Sequence, residues 1–135
     1  MSEENVEIVR AAWKALERRD MEALFAFYDR AIVWDQTRAG PSGLASEYHG
    51  HGGVRQFFRA WLEPFESYHG HAQQFIDAGQ VVVVCARQGG RGKQSGVEVE
   101  MASFWQVYRV ENGLIVRIDV FNDEQDALRA AGLKE

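Results

Sequence analysis

At 135 residues, with 20 acidic against 15 basic side chains and a net charge of −5, the chain has about the length of one domain and no basic arm for nucleic acid. A hydrophobic share of 46%, with four Trp, four Tyr and eight Phe, fills one core and excludes a disordered chain. The longest apolar run, Val81 to Ala86, falls far short of the about 20 residues that cross a bilayer, and Met1-Ser2-Glu3-Glu4 lacks a signal peptide's basic and apolar regions. The expectation is a single domain over 1–135, cytosolic, with neither nucleic acid nor membrane as partner.

Ser2 caps a first helix, Glu3 and Glu4 suit its positive end, and Val6, Val9, Trp13 and Leu16 share one face. Asp20 caps a second, shorter helix with Leu24, Phe27 and Tyr28 on its apolar side. Ile32 to Gln36 reads as a strand and Ala39-Gly40-Pro41-Ser42-Gly43 as a loop. From His51, the positions Val54, Phe57, Phe58, Trp61, Leu62 and Phe65 follow helical spacing until Pro64 ends the run.

Thereafter the period is two. Tyr68 to Ile76 reads as a strand, Asp77 to Gln80 as a turn, Val81 to Arg87 as a strand buried on both faces, and Gln88 to Gly96 as a Gly-rich connection. Val97 to Val110 forms a long bent strand, Asn112-Gly113 a tight turn, and Leu114 to Phe121 the returning strand. A last helix, Glu124 to Ala131, follows an Asn122 or Asp123 cap and stops at Gly132. Helices segregated to one face of an antiparallel sheet make an α+β layout.

The segments Val6-Glu7-Ile8-Val9-Arg10-Ala11-Ala12-Trp13, Arg19-Asp20-Met21-Glu22-Ala23-Leu24, Tyr48-His49-Gly50-His51-Gly52-Gly53-Val54-Arg55 and Glu111-Asn112-Gly113-Leu114-Ile115-Val116 resemble the NTF2-like superfamily, and within it the SnoaL-like branch. The resemblance implies an NTF2-like, cystatin-like cone: a curved antiparallel sheet with helices on its concave face enclosing a pocket, in homodimers packed through the other face. It implies no single activity, because the fold hosts ketosteroid isomerases, polyketide cyclases, epoxide hydrolases, dehydratases and pure binders.

Tested residue by residue, the isomerase pattern fails. Ala12 stands where the family's Tyr would be, Gln36 where the Asp base would be, and Gln106 at the acidic donor. Asp35 lies one residue from the base position. Asp119 falls where the cyclases and epoxide hydrolases carry a catalytic Asp, and the alternation Ile115, Arg117, Asp119, Phe121 sends it to the pocket. The epoxide hydrolases' Arg-x-Asp partner is absent from residues 94 to 108.

Asp119 is therefore read as a candidate acid/base or as a salt-bridging carboxylate, and Asp35 as a pocket residue or a loop cap. Gln36 and Gln106 are candidates for orienting a ligand carbonyl or hydroxyl. Trp13, Tyr28, Phe58, Trp61 and Phe104 form either a wall for a flat apolar ligand or plain core.

His69 and His71 share a strand face as metal ligands would, but two glycines interrupt the strand, and neither metal nor cofactor is expected. His51 starts the third helix, and Cys85 reads as a small buried hydrophobe. Gly89 to Lys93 lacks the spacing of a phosphate loop. Three readings remain open: a cofactor-independent isomerase, cyclase or dehydratase on a small apolar carbonyl or hydroxyl compound; a metabolite-binding protein; or a dimerisation module.

Overall fold

The computed structural model describes residues 2–39 and 46–133. Helix α1 spans Ser2–Glu17, with Glu3 and Glu4 in its first turn and Lys14 in its last, each complementing the helix dipole. It buries Val9, Ala12, Trp13 and Ala15. Asp20 then caps α2 (Met21–Ala26), its carboxylate accepting from the Ala23 N–H at 3.1 Å.

Tyr28 is not on that helix, as its spacing suggested. It opens β1 (Tyr28–Asp35), because the Phe27 carbonyl accepts the Ile115 N–H at 2.8 Å and Tyr28 pairs with Ile115, so sheet pairing overrides helical spacing. A 3₁₀ turn at Thr37–Ala39 precedes a short β2 (Glu47–His49), and the expected loop at 39–43 falls mostly outside the described residues. Helix α3 (Gly50–Leu62) keeps the face expected of it, burying Val54 and Phe57.

Strand β3 (Phe65–Ala78) turns through Gly79-Gln80 into β4 (Val81–Gly92). The expected Gly-rich connection from Gln88 is thus partly strand, and Gly90 is there because a β-carbon would collide with the Ser67 carbonyl on β3. The long strand expected over Val97–Val110 is two pieces, β5 (Glu98–Glu100) and β6 (Phe104–Glu111). Asn112 and Gly113 both hold positive φ, 52° and 81°, as a tight hairpin turn demands, and lead into β7 (Leu114–Phe121). Asp123 caps α4 (Glu124–Ala130), accepting from the Gln125 N–H at 2.8 Å.

The sheet runs β2-β1-β7-β6-β4-β3, with β5 added beside β4; it is curved, unclosed and antiparallel except where β1 lies parallel to β7. Alternation along β4 and β6 divides two cores. Val82, Val84, Tyr108 and Val110 face α1, α2 and α3, whereas Val81, Val83 and Val107 face the other way, joined by Phe121 and Ala127. Helix α4 therefore packs on the face opposite the other three helices, which corrects the one-sided arrangement.

Candidate functional site

A cavity of about 120 Å³ remains between the concave face and the helices, partly open to solvent. Its apolar wall includes Trp13 from α1, Trp34 from β1, Phe58 and Trp61 from α3, and Phe104 from β6. The rings hold one another: Trp34 lies 4.6 Å from Phe57 and 5.5 Å edge-on from Phe58 between centroids, and Trp13 lies 6.4 Å from Phe104.

Three glutamines line the cavity, beside Arg19, Tyr68 and Asn122. Gln36, Gln88 and Gln106 are all buried and all line the cavity. In each case the side-chain oxygen is already engaged. The Trp34 Nε1–H donates to Gln36 Oε1 at 2.8 Å, the Tyr108 hydroxyl donates to Gln106 Oε1 at 2.7 Å, and the Tyr68 hydroxyl donates to Gln88 Oε1. An indole N–H can only donate, so Gln36 must turn its oxygen to Trp34 and keep its NH₂ for the cavity.

Burial pushes the hydroxyl pKa of Tyr28, Tyr68 and Tyr108 up. At Tyr108 the neighbouring Tyr28 adds to that rise, and the Trp13 side chain opposes it. At Tyr68 a contact from Trp61 and the charge of Arg19 oppose it. These phenols stay protonated, and Tyr68 and Tyr108 serve as donors. The buried indole N–H of Trp13 has no acceptor in hydrogen-bond geometry. Arg19 is the one charged side chain lining the cavity among the described residues, and no carboxylate, imidazole or thiol joins it there.

The residues expected at the site divide. Trp13, Gln36, Phe58, Trp61, Phe104 and Gln106 line the cavity together. Tyr28 does not; it is core, edge-on to Phe25 at 5.1 Å.

Asp119 and Asp35 are both outside the cavity, which corrects the placement expected for Asp119 on the pocket side and the pocket alternative for Asp35. Asp119 alternates with Ile118 and Val120, which face the helices, and Asp35 lies between Trp34 and Gln36. The two carboxylates are register partners across β1 and β7 on the opposite face. Arg117 joins them, donating to Asp119 at 3.0 Å and to Asp35 at 2.9 Å. Burial raises the Asp35 pKa, but hydrogen bonds from Thr37 and the charges of Arg117 and Arg38 outweigh it and hold the carboxyl below the usual range.

The alternation counted from Ile115 fails because a bulge intervenes. Val110 pairs with Ile115 and Arg109 with Arg117, so Val116 is extra and reverses the facing of every later residue. Sequence reasoning also passed over Arg19, Trp34, Tyr68 and Gln88. Trp34 and Gln88 were within reach: one lies two residues before Gln36, and the other continues the alternation Val82, Val84, Ala86.

The two histidines near the sheet edge are occupied by carboxylates. His69 Nε2 lies 3.1 Å from Glu100 and His71 Nδ1 lies 3.9 Å from Glu17, and no three metal-capable side chains converge among the described residues. No helix is long and apolar enough to cross a membrane.

With this geometry established, the chain can be set beside known proteins. The SnoaL-like domain family matches over residues 9–118. An NTF2-like protein of unknown function from Burkholderia pseudomallei K96243 is 26% identical, with 93% of this chain and 95% of that chain covered and a TM-score of 0.77. An NTF2-like protein from Burkholderia thailandensis E264 is 27% identical over 96% of this chain and 97% of that chain, with a TM-score of 0.75. A protein with a ketosteroid isomerase-like fold from Catenulispora acidiphila DSM 44928, crystallised in complex with trimethylamine, shares the fold at 18% identity and a TM-score of 0.70, covering 95% and 94% of the two chains. No curated protein matches this sequence.

Proposed function

We propose that this chain, which belongs to the SnoaL-like domain family, is a small-molecule-binding protein that holds a flat, largely apolar compound by its oxygen atoms and moves no proton on it. The observation that carries the reading is the engagement of all three glutamine oxygens by aromatic donors, which turns the glutamine NH₂ groups to the cavity beside Asn122, whose own NH₂ is held by the Ala39 carbonyl. Such groups match carbonyl, ether or oxyanion acceptors and disfavour a ligand that offers N–H or O–H at the same place, because two donors then face each other.

Proton transfer needs a group that takes the proton. Gln36 and Gln106 occupy the positions at which the resemblance puts an isomerase's base and acid, and a carboxamide does neither job at neutral pH. The first of the three open readings, acid/base chemistry by Asp119, loses its support because that carboxylate lies on the other face. The third, a dimerisation module with a filled pocket, is disfavoured by the remaining 120 Å³. Homodimerisation through the face opposite the cavity, where Cys85 and Trp105 are left partly exposed, is part of the same proposal.

Acetophenone tests it, as a ring with one carbonyl and exchangeable methyl protons. The protein is expected to gain thermal stability with acetophenone through linkage, and to leave its methyl protons exchanging with D₂O no faster than in buffer. Accelerated exchange would establish a base in the cavity and overturn the reading.

A further inference from the structure

We infer that the natural ligand is an anion, a one-ring acid whose ring sits in the aromatic cavity and whose carboxylate or equivalent oxyanion is held by Arg19. The inference rests on the ligand-binding reading above and narrows it to a chemical class.

Size is the first constraint. A cavity of about 120 Å³ is close to the engineered apolar cavity of about 150 Å³ that accepts benzene, so its interior encloses one ring. A second cavity of about 130 Å³ adjoins it, lined by Glu17, His69 and His71 and sharing Leu16, Arg19 and Tyr68 with the first. A ligand longer than one ring reaches past that shared wall, and the guanidinium stands in it.

Charge is the second. Arg19 is the one ionic group lining the aromatic cavity among the described residues, and it takes part in none of their ion pairs. Arg19 is an exposed residue whose Nη2 donates to the Tyr68 carbonyl and whose guanidinium lies 5.4 Å from the Tyr68 ring centroid, which leaves further N–H donors of the fork for a ligand. Glu17, the carboxylate of the second cavity, is turned to β3, accepting from the Ala72 N–H at 3.3 Å with His71 Nδ1 3.9 Å away.

Backbone strain is the third. Arg19 ends α1 at φ 61°, with its N–H on the Leu16 carbonyl at 3.0 Å and the Asp20 N–H on Ala15 at 2.9 Å. Helices that end this way favour glycine at the left-handed position. A long cation is held there against that preference, beside the cavity its side chain lines, and outliers of this kind cluster at ligand clamps.

The test is calorimetric titration of the full chain with trans-cinnamate and trans-cinnamamide, two molecules of one shape that differ in charge. Wild type is expected to bind cinnamate at least tenfold more tightly. Arg19→Met is expected to abolish that preference, lowering cinnamate affinity far more than cinnamamide affinity, and Arg19→Lys to retain part of it. Equal binding of the two probes by wild type overturns the anion, and so does a preference that survives in Arg19→Met. The wild-type comparison decides the matter even if the variants fold poorly. If both probes bind equally, the pocket reading stands without the anion; if neither probe nor acetophenone binds, the pocket reading falls with it.

Discussion

Replacing Trp34 by Phe removes the donor that fixes Gln36 and keeps most of the ring. Trp34 is buried, its Nε1–H reaches Gln36 Oε1 at 2.8 Å, and its ring packs on Phe57 and Phe58. Leaving the buried carboxamide oxygen without a partner costs about 1–3 kcal/mol, and the smaller ring adds roughly 1 kcal/mol of lost packing. The sum, about 3 kcal/mol, corresponds to about 10 °C in melting temperature at roughly 2.1 cal/mol/K of unfolding entropy per residue over 135 residues. Gln36→Leu strands the indole N–H instead and costs a similar amount. In the double variant Trp34→Phe with Gln36→Leu neither group is stranded, so urea denaturation followed by circular dichroism should show the two losses falling short of additivity by about 1.5 kcal/mol. Additive losses, within about 0.5 kcal/mol, would mean that Trp34 does not orient Gln36 and that the donor face of the glutamines is misread.

Asp119→Asn should leave acetophenone and cinnamate affinities within about twofold of wild type by calorimetry, since its partner is Arg117 on the other face. Arg117→Met should lower stability at neutral pH by an amount that vanishes in acid. The folded-state pKa of Asp35 is depressed, so the stability it confers is present above the unfolded value of 3.8 and is lost as pH falls through the lower folded value; urea midpoints from pH 7 to pH 2 should converge there. Gly90→Ala should cost about 2–3 kcal/mol in urea unfolding, because the added methyl meets the Ser67 carbonyl, which belongs to the adjoining strand and cannot swing aside.

Most of the order of helices and strands was legible because local chemistry states it: the Asp20 cap, the α3 face through Val54 and Phe57, the Asn112-Gly113 turn and a last cap at Asn122 or Asp123 lie where their residues put them, whereas the three-residue β2 was not read. The aromatic wall and two of the three glutamines were also legible, since anchoring on the resemblance places Gln36 and Gln106 and helical spacing turns Trp13, Phe58 and Trp61 inward. What sequence could not supply was parity. The extra residue at Val116 leaves no local mark, yet it decides that Asp119 faces away from the helices and Val120 towards them. Tyr28 was lost to a related cause, a pairing with Ile115 that is 87 residues away in sequence and outweighs the three preceding residues. Arg19 has its place in the wall through the way α1 meets β3, which no local pattern states.

The side-chain amide resonances of Gln36 and Gln106, followed by ¹H–¹⁵N NMR during acetophenone titration with the Asp carboxyls followed by ¹³C, probe the central claim at the atoms it concerns. Downfield movement of both NH₂ pairs, with the carboxyl signals of Asp35 and Asp119 unmoved, is the expected result. Still NH₂ pairs with a moving Asp119 carboxyl would place the ligand on the other side of the sheet and contradict the account.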